Sequence, residues 1–211
     1  MIDNTDIIGR GLAQRLAGFD WSRSESVLRK PTRSGWIGIA IEAMPTSSLD
    51  VFRLAAHGQI RIDDIERAYS PFDARLTNES AQSHATLVVN CDTLLRESQL
   101  IHGFRGDPAS LACFICGYAK ELEDIVVPWL EKHSTENSLF EGLSSKNPRQ
   151  WITSDRLVRF PVLLAILSRR RDWVQYESVA GDFMAFCDKP YAQVHRAYAK
   201  AIIDGLRGVN P

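Results

Sequence analysis

The residues that most resemble a reactive site are Cys113 and Cys116, which form a CxxC pair. A redox-active CxxC places its first cysteine at a helix N-terminus, where the helix dipole stabilises the thiolate. Here Asp107 and Pro108 are typical of a helix start that comes earlier, so both cysteines fall inside the helix. A zinc site would need further cysteines or histidines at close spacing, and the remaining ones are scattered. We therefore predict two buried structural cysteines, no metal site and no cofactor.

A second group with chemical potential is the acidic cluster Asp63, Asp64 and Glu66. Two carboxylates held close together could perform acid–base work or bind a metal ion. A solvated turn explains the same cluster at least as well, because charged residues are common on turns. Both alternatives stay open, and Asp63 and Asp64 are candidate binding residues.

Glu42 lies on the more polar face of the strongest predicted strand, together with Trp36, Gly38 and Ala40. These residues alternate along the chain, and alternate side chains of a strand point to the same face. A strip of small residues beside a tryptophan and a carboxylate could form the floor of a binding groove. Trp36 and Glu42 are therefore candidate binding residues, and His57 in the next segment is another.

The catalytic motifs that can be recognised by spacing are missing from the sequence. The histidines show no HxxxH or HxH pattern, and no GxSxG sequence supplies a nucleophile, so we assign no catalytic residue. The only basic run is Arg169, Arg170 and Arg171. We expect it at the C-terminus of a helix, where cations complement the helix dipole. Contact with an acidic protein or a nucleic acid is the alternative interpretation of this run.

The strongest secondary-structure signal is a central helix over residues 107–133. Apolar residues recur there at alternating steps of four and three, which places them on one helical face. The residues are Leu111, Ile115, Tyr118, Leu122, Ile125 and Trp129. A shorter amphipathic helix is predicted over 3–18, although Gly9 and Gly11 weaken it. Helices after the central one are predicted over 154–171, 173–187 and 190–206.

Strands are predicted between the first helix and the central one, over 26–30, 36–43, 49–56, 60–62 and 85–91. His57 and Gly58 could form a two-residue hairpin turn, which the alternation slightly favours. The other interpretation is one long strand over 49–62 with a glycine bulge, followed by a short helix through Tyr69 that Asp63 caps. Residues 70–83 are polar and without periodicity, which predicts a long loop. The apolar run within 85–91 predicts an interior strand covered on both faces.

These elements predict an α+β fold. It consists of a four- to five-stranded, mostly antiparallel meander with an N-terminal helix, a central packed helix and a C-terminal helical layer. We expect a single domain over residues 1–211, in which 1–100 supply a helix and the sheet and 107–211 supply a helical portion packed on it. An edge strand of such an open meander could pair with a second subunit, so a homo-oligomer is conceivable.

Composition limits the classes of function. Hydrophobic residues make up 45% of the chain and charged residues 24%, which is ordinary for a globular protein. The formal net charge of −1 offers no general attraction to nucleic acid or to an anionic membrane. The acidic N-terminus, the lack of a long apolar run and the irregular cysteine spacing predict a cytoplasmic protein without a membrane partner.

The order of these features resembles a family of small bacterial α+β domains of unknown function, some of them immunity-like. The resemblance is carried by the pattern at Leu16–Phe19, Trp36–Glu42, Leu49–Ala56, Ile125–Leu130, Leu139, Leu143 and Pro161–Leu167. It implies a protein that binds another protein, such as a toxin, rather than an enzyme. The family supplies no catalytic residues to carry over.

Two main hypotheses for function follow. The first is a non-enzymatic protein-binding module, immunity-like or toxin-neutralising, whose contact surface combines loop 70–83 with the strand face near Trp36 and Glu42. The alternative is a small-molecule-binding or hydrolytic enzyme with a pocket between the sheet and the central helix, using Glu42, Asp63 or His57. Nucleic-acid binding through the arginine run is ranked third because of the net charge.

Overall fold

A computed structural model describes residues 3–47, 50–73, 84–95, 103–145 and 152–209. It has the predicted α+β fold, with helices before and after an antiparallel sheet. The chain divides into two compact units. Unit 1 contains residues 1–60 and 88–134, and unit 2 contains residues 61–87 and 135–211. The single domain over 1–211 stays a prediction.

Within the described residues the sheet has six strands, in the order β1-β2-β3-β4-β5, with β6 paired to β4. Pairing is antiparallel for β1 with β2, β2 with β3, and β4 with β6. The β2–β3 register joins Thr32 to Gly35 across a two-residue turn, as the turn-forming residues there predict. The strands are β1 (Asp20–Ser22), β2 (Val27–Thr32), β3 (Gly35–Pro45), β4 (Val51–Ile62), β5 (Leu87–Asn90) and β6 (Phe104–Arg105).

The helices of the described residues surround these strands along the chain. They are α1 (Asn4–Ala13), α2 (Asp63–Tyr69), α3 (Cys91–Leu94), α4 (Pro108–Glu121), α5 (Val127–Lys132), α6 (Glu136–Ser144), α7 (Arg156–Arg170), α8 (Trp173–Cys187) and α9 (Arg196–Val209). Each helix in the described part of the chain is too short or too polar to cross a membrane.

The predicted hairpin turn at His57 and Gly58 is wrong, because β4 runs through both residues as one long strand. Burial alternates along β4 without a break at the glycine, so side chains keep their faces. Gly58 serves packing instead. A Cβ atom there would lie 3.0 Å from a methyl carbon of Val89 and 3.1 Å from one of Leu130. The second interpretation is therefore correct in its long strand and its short helix. Its glycine bulge is wrong, because the alternation continues through Gly58, and Asp63 is the first residue of the helix rather than its cap.

The prediction of a strand covered on both faces at 85–91 is also wrong. Strand β5 is shorter, and its Val88 side chain is 43% exposed. Strand β5 is the last strand in the order β1-β2-β3-β4-β5. Among the described residues it pairs with β4 on one edge, and no strand of this order follows it on the other edge. A consecutive apolar run therefore does not require two covered faces.

Helix α1 ends at Ala13, earlier than predicted, and Asp3 caps its N-terminus by accepting from the backbone N–H of Asp6. Gly9 has a structural reason, since a Cβ atom at that position would collide with the indole ring of Trp21. The indole N–H of Trp21 also donates to the Asp6 carboxylate over 2.9 Å. The glycine that weakens α1 locally thus allows Trp21 to pack against it.

The central helix begins as predicted, with the Asp107 side chain accepting from the backbone N–H of Ser110. It continues from α4 through a π turn at Leu122–Val126 into α5. Ile125, predicted on the buried face, is 44% exposed, whereas Val126 and Leu130 are fully buried. A π turn contains one more residue than an α turn, so it moves the buried stripe along the sequence by one position.

Unit 2 is built around α7, whose residues from Phe160 to Ser168 are all buried. Pro161 lies inside this helix, which starts at Arg156, close to the predicted start at residue 154. The hydroxyl of Ser168 donates to the carbonyl of Leu206 over 3.1 Å, which ties α7 to α9. Helix α9 itself starts at Arg196, later than the predicted Pro190.

Candidate functional site

Unit 1 has a concave site on the solvent-facing side of its sheet, which we call the sheet-face groove. Its volume is about 440 Å³. Two of the residues predicted from the sequence, Glu42 and His57, line it together. The full lining consists of Asp3, Thr5, Glu25, Ser26, Ala40, Ile41, Glu42, Ala55 and His57.

Strands β3 and β4 determine which side chains reach the sheet-face groove. Ile37, Ile39 and Ile41 are buried, so the alternate residues Ala40 and Glu42 point to the opposite face. On β4 the alternation likewise leaves Ala55 and His57 outside the buried set. The short side chains of the two alanines leave room for the groove, and the longer side chains of Glu42 and His57 form part of its lining.

The charges around the sheet-face groove are mostly negative. Glu25 is paired with Arg29, and Asp3 is the N-cap of α1, so both carboxylates have partners inside unit 1. Glu42 is exposed, and within the part of the chain that the structure describes no ion pair engages its carboxylate. The groove therefore offers an unpaired carboxylate beside an exposed imidazole.

Trp36 shares a face of β3 with Ala40 and Glu42 but does not line the groove. The guanidinium of Arg29 lies over its ring, 4.5 Å from the ring centre. Gly38 gives the indole room, because a Cβ atom there would come within 3.0 Å of it. Trp36 is thus linked to the groove indirectly. It contacts Arg29, and Arg29 forms an ion pair with Glu25, which lines the groove.

Asp63 and Asp64 belong to unit 2, where both are engaged in ion pairs at the start of α2. The Asp63 carboxylate accepts from Arg61 over 2.7 Å. Asp64 is paired with Arg67 and also with Arg169, at 3.0 Å. Among the described residues, no group of three or more His, Cys, Asp or Glu side chains is arranged to hold a metal ion.

Glu66 differs from its two neighbours, because it is 1% exposed. Its carboxylate accepts a hydrogen bond from the hydroxyl of Tyr69 over 3.0 Å, and the Nδ1 atom of His84 lies 3.1 Å from its other oxygen. Burial raises the pKa of Tyr69 well above its usual value, and the adjacent Glu66 charge adds to this effect. A solvated turn is therefore the wrong description for Glu66.

The burial of Glu66 can be predicted from its apolar neighbours along the chain, although its own charge suggests exposure. Ile62, Ile65 and Tyr69 follow one another at helical spacing, and Glu66 lies on the same side of α2. An acid on an apolar helical face predicts a buried carboxylate with partners. His84, which is far away in sequence, cannot be found from that spacing.

The arginine run is at the C-terminal end of α7, as predicted, and its first two members have partners. Arg169 and Arg170 each form an ion pair with Glu136, at 3.1 and 3.2 Å. Arg170 also lies over the ring of Phe140, 4.3 Å from its centre. These contacts use the charges within unit 2, so they weaken the case for a nucleic-acid surface.

The prediction that Cys113 and Cys116 are buried is wrong, because both are exposed free cysteines. They lie on the outer side of α4, opposite the buried stripe of Leu111, Ile115 and Tyr118. Cys91, by contrast, is fully buried, and burial raises the pKa of its thiol to about 12. Apolar residues that flank the buried stripe of α4 are therefore not evidence that the opposite side of the helix is buried as well.

Unit 2 contains a larger concave site, which we call the helical groove, between α6, α7 and α8. Its volume is about 880 Å³. No pattern along the chain predicts this groove, because its walls come from three separate helices. Its lining combines aromatic and aliphatic side chains with three cations, one acid and the uncharged polar residues Ser144, Ser145, Gln175 and Ser178. These lining residues include Phe140, Phe160, Leu163, Leu167, Val179, Phe186, Arg156, Arg159, Lys189 and Asp182.

Comparison with known proteins adds no relative to this description. No protein-family model, no curated protein and no solved structure matches the chain. The sites above are therefore interpreted from their own geometry.

Proposed function

We propose that this protein is a non-enzymatic protein-binding module whose contact surface is the sheet-face groove. The observation that carries the proposal is that β3 and β4 bring Glu42 and His57 together on an exposed sheet face. Exposed sheet faces and the loops around them are common sites for binding other proteins. The predicted contribution of loop 70–83 falls mostly outside the described residues, so the proposal depends on the groove alone.

The charges of the groove specify the chemistry of the partner. Asp3, Glu25 and Glu42 contribute three carboxylates, and in the described part of the chain an arginine forms an ion pair with only one of them, Glu25. Opposite charges across an interface increase the association rate and fix the register of the two proteins. A partner segment with lysine or arginine residues is therefore the best match.

The finer proposal is that the module is immunity-like and neutralises a toxin in the cytoplasm of a bacterium. It is supported by the resemblance in feature order and by a surface suited to binding rather than to catalysis. Deleting the gene should then sensitise the host to a toxin that the host or its relatives produce. Unchanged growth under every such challenge would contradict this finer proposal and leave protein binding to be tested separately.

The test of binding is capture of partners from the host lysate by tagged protein, identified by mass spectrometry at low and moderate salt. The wild-type protein should retain one stoichiometric partner at moderate salt. Glu42→Lys reverses the unpaired charge and should weaken that capture by about tenfold. Glu141→Lys is the matched control, because Glu141 is an exposed acid on α6, outside the groove.

Equal capture by the wild-type protein and Glu42→Lys would contradict the proposed surface. Loss of capture by Glu141→Lys alone would move the contact surface to unit 2. Circular dichroism of each variant checks that a lost partner does not reflect a lost fold. Capture only of chaperones by the wild-type protein would contradict the binding function itself.

The second candidate function, a small-molecule-binding or hydrolytic enzyme, is favoured by the same pairing of a carboxylate with an imidazole. General acid–base catalysis requires such groups within reach of one reacting atom. Asp63, the third residue of that hypothesis, is committed to its ion pair with Arg61. A small molecule that raises the melting temperature of the wild-type protein but not of His57→Asn would support this candidate over protein binding.

A further inference from the structure

The helical groove of unit 2 has walls from three helices and distinct ends. Helices α7 and α8 are joined by the short turn at Arg171 and Asp172, so they run antiparallel. The start of α7 and the end of α8 therefore lie at the same end of the groove. Arg156 and Arg159 come from the start of α7, and Lys189 follows the end of α8.

The opposite end of the groove combines apolar walls with uncharged polar side chains, because Gln175 and Ser178 at the start of α8 also line it. Leu163 and Leu167 come from the second half of α7 and are buried, and Val179 faces them from α8. Phe140 of α6 lies near the end of α7, because the guanidinium of Arg170 covers its ring. The groove thus changes along its length from a cationic end to an end lined by apolar and uncharged polar side chains.

The two arginines at the cationic end are held in place by specific contacts. Arg159 is a buried residue whose Nε–H donates to the carbonyl of Leu143 over 2.8 Å. Its guanidinium lies 5.3 Å from the centre of the Phe160 ring, and that of Arg156 lies 5.2 Å from the centre of the Phe186 ring. Burial lowers the pKa of Arg159, which reflects the cost of keeping this charge away from water.

Charge at the groove is unbalanced. Among the described lining residues, Arg156, Arg159 and Lys189 face one carboxylate, that of Asp182. Asp182 attracts Arg159 electrostatically, which leaves an excess of positive charge at this end. An anionic group entering the groove would complete the balance in a site with apolar walls, where charge attraction is stronger than in water.

We propose that the helical groove binds a medium-chain fatty carboxylate, with the carboxylate at Arg156 and Lys189 and the chain along Leu163, Leu167 and Val179. A volume of about 880 Å³ is typical of sites for small ligands. Such sites are mostly apolar and orient the ligand by a few charged groups, and this groove has the same composition. The inference is independent of the protein-binding surface of unit 1.

The test is calorimetric titration of the full chain with three probes that share one alkyl chain, the two charged probes kept below their micelle concentrations and the uncharged one below its solubility limit. The probes are dodecanoate, dodecanol and dodecyltrimethylammonium. Dodecanoate should bind at one equivalent, and the ammonium probe should bind at least about tenfold more weakly because its charge is repelled. Equal affinities for the carboxylate and the ammonium probe would overturn the proposal.

Variants separate the two ends of the groove. The double variant Arg156→Gln/Lys189→Gln should weaken dodecanoate binding by about tenfold and leave dodecanol binding unchanged. Lys200→Gln, an exposed lysine of α9 outside the groove, is the control and should change neither. Ala185→Trp fills the groove from an exposed position on α8 and should abolish binding of both probes.

Two further outcomes would overturn the inference. The first is absence of dodecanoate binding by the folded wild-type protein. The second is unaltered dodecanoate binding by Ala185→Trp, which would place the ligand elsewhere. Binding of an acidic amphipathic peptide without binding of dodecanoate would assign the groove to a helix instead.

Discussion

The hydroxyl of Tyr69 donates a hydrogen bond to the carboxylate of Glu66, and both residues are buried on the same face of α2. The oxygen that does not accept from Tyr69 faces the Nδ1 atom of His84. A buried carboxylate without partners would lose its hydration with no compensation. These two contacts therefore explain how an acid is accommodated inside unit 2.

Removing the Tyr69 hydroxyl should destabilise the protein. Tyr69→Phe keeps the ring and leaves one oxygen of Glu66 without its partner, so we expect a loss of about 1.5–3 kcal/mol in the free energy of unfolding. Urea denaturation measures this change. The control is Tyr191→Phe, because Tyr191 is 71% exposed, and it should change stability little. Equal effects of the two substitutions would contradict the assigned role of the Glu66 contact.

Glycine substitutions in two helices should have opposite effects. Gly9→Ala places a Cβ atom against the Trp21 ring, which is held by its hydrogen bond to Asp6, so α1 or Trp21 must move and stability should fall. Gly181→Ala places a Cβ atom in open space on α8, and better helix propensity should raise stability by about 1 kcal/mol. Thermal unfolding of both variants tests the contrast, and a stabilising Gly9→Ala would contradict it.

The π turn predicts which residues of the central helix support the core. Leu130→Ala removes a fully buried side chain and should cost about 2–5 kcal/mol. Ile125→Ala removes a partly exposed side chain from the π turn itself and should cost distinctly less. Denaturant unfolding compares the two. A larger loss for Ile125→Ala would show that the regular stripe predicted from the sequence is the true one.

Thiol reactivity should divide the four cysteines into two classes. The exposed Cys113 and Cys116 should react quickly with a thiol reagent at pH 8, whereas the buried Cys91 and Cys187 should react slowly. Burial raises the pKa of the Cys91 thiol to about 12, so its reactive thiolate stays scarce at that pH. Peptide mapping of the labelled native protein identifies the sites, and labelling in denaturant is the control. Rapid native labelling of Cys91 would contradict its burial.

Much of unit 1 can be predicted from the sequence, because side-chain alternation in strands and capping of helices depend on residues that are close together along the chain. The alternation of Ile37, Ile39 and Ile41 identifies β3 and places Glu42 on the other face. Asp107 and Pro108 identify the start of the central helix through capping chemistry.

Tertiary contacts decide the features that periodicity misses. Gly58 resembles a turn residue in the sequence, yet it lies in a strand because Val89 and Leu130 pack over it. The π turn moves burial from Ile125 to Val126 without a local marker of the change. The helical groove likewise depends on three helices that meet only after folding.

The central claim is that another protein binds the sheet-face groove, and site-specific photo-cross-linking tests it most directly. A benzophenone amino acid is introduced at Ala55, within the groove, and at Glu141 as the distant control. Irradiation in host lysate should yield one defined protein adduct from position 55 and none from position 141. An adduct of the same protein from position 141 alone, or no adduct from position 55, would contradict the claim.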